Sequence, residues 1–351
     1  MEETEAYLHC PNPLRDDEKV VTLAVGEGAK SSRTFLEEFI YRRFQGDTLA
    51  QRKDAARIEA SSMQLAFTTD SFVISPRFFP GGDIGKLAVC GTVNDLCMVG
   101  AEPKWMSVSL IIEEGFLLSE LSLILDSLLE WSQRANLEIV CGDTKVVPRG
   151  KMDGLFINTS AIGVVMPKAI SHSEMLQKGD VIIVSGPVGC HGMSVMAARS
   201  PGLVETEIQS DCDLLLPLVQ ALYAQEICVK AMRDATRGGI AAVMHEWASE
   251  YAVSITLDEE RIPVRADVRG MSELLGLDPL FVANEGTMVL VVAASEVERT
   301  LSVMGSVSIG SNAAVIGTVC SRRRVPVTVV RGLGREIPLD EPTGGPLPRI
   351  C

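Results

Sequence analysis

Between Lys86 and Gly100 the chain reads Leu-Ala-Val-Cys-Gly-Thr-Val-Asn-Asp-Leu-Cys-Met-Val, and Asp95 is the single charge within it. A helix that is apolar nearly all round has to be enclosed by other elements. The glycines of Pro80-Gly-Gly-Asp-Ile-Gly85 open it. A carboxylate flanked by Val93, Leu96 and Met98 is costly to bury unless it is paired or bound to metal. A partly exposed charge on the polar side of the helix fits the same spacing equally well.

The rest of the chain alternates strand, glycine turn and helix, which predicts an α/β (α+β) architecture. Thr34 to Phe44 has helical spacing, and 46–62 reads as a linker with a short helical piece. Leu65 to Ile74 reads as a strand broken at Asp70-Ser71, and Lys104 to Glu113 as another. Ser119 to Arg134 is the clearest helix, with Leu121, Ile124, Leu125, Leu128 and Trp131 on one stripe. Glu138 to Cys141 reads as a short strand stopped by Gly142-Asp-Thr-Lys145, and Leu155 to Val165 as a longer one. The divisions expected are a loose leader (1–20), an N-terminal domain (21–166), a C-terminal α/β domain (167–330) and a tail (331–351). From Arg331 on, proline and glycine predict no regular element. At 351 residues, two domains are the natural count.

Lysine and arginine total 32 against 46 acids, a net charge of −14. A field of that sign repels phosphate backbones and anionic lipid, so neither nucleic acid nor membrane is expected as a partner. Nine cysteines without a CxxC pair, and no apolar leader, read as reduced thiols in a cytoplasm. None of the four histidines pairs at HExxH spacing, and no GxxxxGK[ST] loop occurs.

Six places carry chemical content. Asp70 ends a strand in Thr-Thr-Asp-Ser, and with Asp95 it offers the hard oxygens magnesium prefers. In Cys141-Gly-Asp-Thr-Lys145, Asp143 suits a metal and Lys145 a phosphate or developing anion. A hairpin turn with a surface ion pair fits there as well. Asp234-Ala-Thr-Arg-Gly-Gly239 precedes a helix, where free N–H groups and Arg237 favour an anion; plain helix capping is the other reading. Glu285, in Asn284-Glu-Gly286 ahead of a buried strand, suits a base of raised pKa or a simple turn. His191 is equally a functional or a satisfied loop histidine. Finally, Cys351 ends the chain after Pro346-Leu-Pro-Arg-Ile350. From Ile337 the tail reaches roughly 45 Å, enough to visit another active site or the chain's own; a chance cysteine on a disordered tail fits the composition as well.

Together these segments resemble one family. Phe67-Thr-Thr-Asp-Ser, Phe78-Phe-Pro-Gly-Gly-Asp-Ile-Gly-Lys-Leu-Ala-Val-Cys-Gly-Thr-Val-Asn-Asp95, Gly142-Asp-Thr-Lys-Val-Val-Pro-Arg-Gly150, Asp234-Ala-Thr-Arg-Gly-Gly239, Asn284-Glu-Gly286 and the terminal Pro348-Arg-Ile-Cys351 are similar to those of the HypE carbamoyl dehydratases. These are hydrogenase maturation proteins of the PurM-like superfamily. The resemblance implies a two-domain PurM-like fold with a mobile tail, a homodimer pairing its N-terminal sheets, and ATP with magnesium between the domains. It implies that a carbamoyl group from HypF is placed on Cys351 and dehydrated to a thiocyanate. Its cyano group then passes through HypC–HypD to the iron of a nickel–iron hydrogenase. By the same resemblance Cys351 is the carrier, Glu285 the base and Lys145 its electrostatic partner or a phosphate contact. Asp70, Lys86, Asn94, Gly142, Thr144, Asp234 and Arg237 meet ATP, and Asp70, Asp95 and Asp143 hold the metal.

Three departures stand out. Val25-Gly-Glu-Gly-Ala29 replaces the family's His-Gly-x-Gly-Gly. Cys190 replaces the aspartate of Gly-Asp-His-Gly, and Thr287 the lysine after Asn-Glu-Gly. They open the alternatives of a paralogue making a nitrile for another pathway, or a scaffold that binds ATP without turning it over.

Overall fold

The computed structural model describes residues 30, 33, 34, 37, 38, 55–60, 63–166, 175–200, 206–343 and 349–351. The Val25–Ala29 loop, and most of the helix expected over Thr34 to Phe44, lie outside them. The first unit runs β1 (Ala56–Ala60), β2 (Met63–Phe72), β3 (Phe78–Phe79), β4 (Gly82–Asp83), α1 (Ile84–Met98), β5 (Ala101–Glu113), α2 (Leu118–Arg134), β6 (Glu138–Val147) and β7 (Leu155–Val165). Its main sheet has the order β1-β2-β7-β5-β6, antiparallel except for β5 and β6. The second unit runs β8 (Val181–Val184), α3 (Cys190–Arg199), α4 (Leu216–Ala224), β9 (Val229–Asp234), α5 (Gly239–Glu250), β10 (Ser254–Asp258), α6 (Ala266–Leu275), β11 (Met288–Val292), α7 (Val297–Gly305), β12 (Ala314–Cys320), β13 (Val327–Arg331) and β14 (Arg335–Pro338). Its sheet order is β14-β13-β10-β12-β8-β11-β9.

The apolar helix is α1, enclosed as its composition requires. Ile84, Leu87, Val93 and Leu96 are 0% exposed, each worth roughly 1.5–3 kcal/mol of burial. Asp83 caps the helix by accepting from the Gly85 and Lys86 N–H groups. The helix lies across β2, β7 and β5 of its own sheet and touches β9 and α4 of the second unit. One core therefore joins both units.

Four sequence expectations are corrected. The 46–62 linker holds the strand β1, paired with β2. The Asp70-Ser71 break is absent, since both residues stay in register with β7. Gly142 to Lys145 is not a turn. It continues β6, because parallel pairing with β5 carries through it, and a Cβ at Gly142 would fall 2.3 Å from the Val108 carbonyl. Past Arg331 the chain forms β14, against β13, and Leu339 is 5% exposed.

Candidate active site

Strand alternation decides which side chains meet. On β2, Ala66, Thr68 and Phe72 are buried toward α1, and Asp70 shares their face. There the Thr68 hydroxyl donates to Asp95 Oδ2 at 2.8 Å. Asp95 is thus neither a stranded charge nor a fully exposed one: it is the only residue from Cys90 to Gly100 that is not buried.

The second unit brings three loops to this face. Ala235 N–H donates to the Thr287 carbonyl, and Asn284 N–H to that of Ala235, both at 3.0 Å. The Asp234–Gly239 and Asn284–Thr287 loops are therefore laced together. Asp211, on the third loop, accepts from Glu285 N–H (3.3 Å), Gly286 N–H (3.0 Å) and the Thr287 hydroxyl (2.8 Å). A Cβ at Gly286 would lie 1.8 Å from the Asp211 carbonyl, so only glycine allows this approach. Sequence reasoning did not single out Asp211, whose role runs mainly through backbone groups. Asn94 ties α1 to these loops. Its amide donates to the Asp213 and Glu285 carbonyls and its oxygen accepts from Leu215 N–H.

Glu285 results from this lacing. It is 3% exposed, and its Oε1 has no hydrogen-bond partner. Burial, and the neighbouring Cys212, Asp234, Asp70 and Asp211, hold its carboxyl well above the usual range. Burial also raises Asp70, against the lowering effect of Arg237 and the Ser71 N–H. Arg237 keeps solvent access at the cleft, and Cys351, Asp70, Glu285 and Asp95 all favour its charged form.

The chain terminus lies in the same cleft. Val73 N–H donates to the Cys351 backbone oxygen at 3.0 Å. Burial pushes the Cys351 thiol up to about 12, against the pull of Arg237, with Glu285, Asp70 and Asp234 raising it further. The Cys351 thiol, the Glu285 carboxyl and the Arg237 guanidinium are thus gathered in one place. His191, left open by the sequence, is fully buried. Its Nδ1 meets the Ser210 hydroxyl at 2.8 Å and its Nε2 the Ile350 carbonyl at 2.7 Å.

The remaining expected residues stand elsewhere. Lys86 donates to the Gly81 carbonyl at 2.9 Å and lies 4.2 Å from the Trp131 ring centroid. The carboxamide of Asn94 is committed to backbone, so its part in ligand binding is indirect. Asp70, Thr159, Val108 and Gly142 form one row across the sheet. Gly142 is therefore three strand intervals, roughly 14 Å, from Asp70. Asp143 pairs with Ser109 on the opposite face, where it bonds Lys145 at 3.0 Å in the open. Within one chain, then, Asp143 and Lys145 do not join Asp70 and Glu285. Thr144 shares this exposed strand. Among the described residues no three His, Cys, Asp or Glu side chains are grouped to hold a metal ion. Of the family departures, Thr287 keeps Asp211 in place and Cys190 is buried at the start of α3, its thiol raised to about 12.

Two family models match this architecture: AIR synthase related protein, N-terminal domain, over 52–165, and its C-terminal domain over 177–330. They define a two-domain PurM-like fold, which thiamine monophosphate kinase from Aquifex aeolicus shares at 16% identity and a TM-score of 0.66. Closer likeness narrows the class. The carbamoyl dehydratase HypE of Escherichia coli K12 is 42% identical, over 94% of this chain and 99% of its own. A HypE–HypF complex superposes with a TM-score of 0.82 at 41% identity, covering 88% of this chain and 99% of that one. HypE in complex with ATP does so at 0.78 and 37%, covering 94% and 100%. The chain belongs to the HypE family of carbamoyl dehydratases, ATP-dependent enzymes of hydrogenase maturation. Among the described residues no helix is long and apolar enough to cross a membrane.

Proposed function

We propose that the chain dehydrates a carbamoyl group carried on its own Cys351, yielding a protein thiocyanate. The observation that carries this reading is that the Cys351 thiol feels the charges of Arg237 and of the buried Glu285 carboxyl, whose Oε1 has no hydrogen-bond partner. In the S-carbamoyl group the amide oxygen is a poor leaving group. Transfer of the ATP γ-phosphoryl to that oxygen makes it a good one. Loss of phosphate and of both N–H protons then leaves sulfur bearing C≡N, with ADP and phosphate as the other products. Glu285 takes an N–H proton, a role that suits a carboxylate made more basic by burial. Arg237 balances negative charge at the reacting carbonyl.

Asp70 and Asp95 lie on one face and offer hard carboxylate oxygens, a donor set that fits magnesium together with phosphate oxygens. The ion, when bound, would neutralise phosphate charge. Asp234 and Arg237 flank the same cleft. Asp143, Lys145, Gly142 and Thr144 serve the site from a second copy. Phe67 and Trp105 flank Ile162 in one row on the sheet's outer face and are 40% and 42% exposed, an apolar surface suited to sheet pairing in a homodimer. HypF is the carbamoyl donor, as the solved HypE–HypF complex supports, and HypC–HypD the acceptor of cyanide for the hydrogenase iron. The N-terminal domain extends over 21–166 and the C-terminal domain over 167–330.

The test needs no partner. Cyanate carbamoylates the thiols, ATP and magnesium are added, and the C-terminal peptide is weighed by mass spectrometry. Loss of one water from carbamoylated Cys351, only with ATP and not in Glu285→Gln, is expected. A carbamoylated tail that stays intact in protein that binds ATP refutes the reading.

A further inference from the structure

Segment 206–215 has neither helix nor strand, and it runs lengthwise along α1. Ser210 N–H donates to the Pro80 carbonyl at 2.8 Å, just before the helix starts. One turn short of the far end, the Asn94 amide donates to the Asp213 carbonyl at 3.0 Å and its oxygen accepts from Leu215 N–H at 2.8 Å. Cys212 lies between these two fastenings. On the facing helix Lys86, Cys90 and Asn94 are spaced i, i+4 and i+8, so they form one stripe. The middle of the stripe meets the middle of the segment: the Cys212 thiol is hydrogen-bonded to Cys90, and Lys86 acts on it electrostatically. Both are free thiols, Cys90 fully enclosed and Cys212 2% exposed.

The other buried thiols are placed differently. Cys97 answers to Asp234 and Asp95, and Cys190 to Asp211, Arg265 and Asp267. Cys90 and Cys212 face one another across the junction of the two units, from positions more than a hundred residues apart in sequence. Covalent closure of such a pair brings the sulfurs to about 2.05 Å. The enclosed helix cannot follow, so the irregular segment has to give. Its next residue, Asp211, holds Glu285 N–H, Gly286 N–H and the Thr287 hydroxyl through its carboxylate. Closure therefore pulls on the loop that positions Glu285.

We infer that Cys90 and Cys212 are a redox-active dithiol whose closure to a disulfide staples the two units together and displaces Glu285. The oxidant is a small-molecule disulfide. One cysteine thiolate attacks a sulfur of the reagent and expels its other half. The second cysteine thiolate attacks the resulting mixed disulfide and expels the remaining half. One S–S bond forms between Cys90 and Cys212 and one breaks in the reagent, whose two released thiols carry away the electron pair and both protons. Burial holds the Cys212 thiol well above its ordinary range, so exchange is slow at neutral pH, and the same enclosure shields the finished bond from reductants. Only the effect on turnover rests on the dehydratase reading.

The experiment incubates the full-length chain with oxidised glutathione at mildly alkaline pH, alkylates the remaining thiols under denaturing conditions, and maps a non-reducing digest by mass spectrometry. A linked Cys90–Cys212 peptide, two hydrogens lighter than the sum of its parts, is expected. Because the bond closes a long loop, the melting temperature should rise by about 5 °C or more, and dithiothreitol should reverse the rise. Cys90→Ala and Cys212→Ala, each compared with its own untreated form, should show no such rise. For turnover, Cys351 is carbamoylated before oxidation. Water loss with ATP should slow by roughly tenfold to a hundredfold relative to the two variants taken through the same treatment, and recover on reduction. Cys90 and Cys212 left unlinked in a chain whose exposed Cys141 has taken up glutathione, or Cys212 linked to Cys351 instead, overturns the pair. A stapled chain with unchanged turnover overturns the displacement of Glu285. A reduced chain that never dehydrates its carbamoylated Cys351 refutes the dehydratase reading and leaves the staple standing.

Discussion

Glu285→Gln separates chemistry from folding in one substitution. A positioned base contributes about 10²–10⁴ in rate, equal to roughly 2.7–5.4 kcal/mol at 1.36 kcal/mol per decade. Dehydration of carbamoylated Cys351 should slow by that factor. Stability should move the other way. The folded pKa of Glu285 lies well above its unfolded value of about 4.3. Below that value both states hold the proton and burial carries no ionic penalty. As pH rises toward the folded pKa, the unfolded chain ionises while the folded one keeps its proton. Stability then falls by up to about 1.4 kcal/mol per pH unit. Glutamine does not titrate, so the variant should match the native chain near pH 4 and gain on it as pH rises from the unfolded value toward the raised folded one. For a chain of this size each kcal/mol shifts the melting temperature by about 2–4 °C. Melting curves across that range, beside mass spectrometry of the C-terminal peptide, give both readouts. A variant that keeps activity within about threefold, or a stability gap that does not widen with pH, refutes the reasoning.

Three further outcomes are expected. Docked Cys351, with its thiol near 12, should alkylate with iodoacetamide at pH 8 about 10³-fold more slowly than a free thiol of pKa near 8.5; labelling as fast as at exposed Cys141 would contradict the docked state. Asn94→Ala removes three hydrogen bonds and leaves Leu215 N–H unpaired, so chemical denaturation should show a loss of about 2–4 kcal/mol. Phe67→Asp should convert a dimer into monomers in sedimentation and abolish turnover by withdrawing Lys145; a native chain that is monomeric and active at micromolar concentration would exclude the shared site.

The two-unit α/β order was legible in apolar periodicity, and α1 above all, because a nearly uncharged helix has few places to go. Asp70, Glu285 and Cys351 were legible as motif residues, but only the fold brings them together. Gly142-Asp-Thr-Lys145 reads locally as a turn. What makes it strand is its neighbour β5, which lies more than thirty residues away and leaves no local signal. The register then sets Asp143 and Lys145 on the face opposite Asp70, a consequence of period-two alternation that spacing between motifs does not reveal. Asp211 was missed because its partners are largely backbone N–H groups. β14 was missed because proline and glycine around it mask a short pairing segment.

The C-terminal segment is anchored as well as docked. His245 meets the Leu339 carbonyl at 2.9 Å, and Lys30 N–H donates to the Pro342 carbonyl at 3.1 Å. On the proposed reaction such a chain would be its own substrate at fixed stoichiometry. Its dehydration step should be first order in protein and indifferent to dilution, and saturation in the ordinary sense has no meaning for it. Under that proposal each copy would produce one cyano group per cycle, so an acceptor that empties Cys351, and not the chemistry at Glu285, would set how often the cycle restarts.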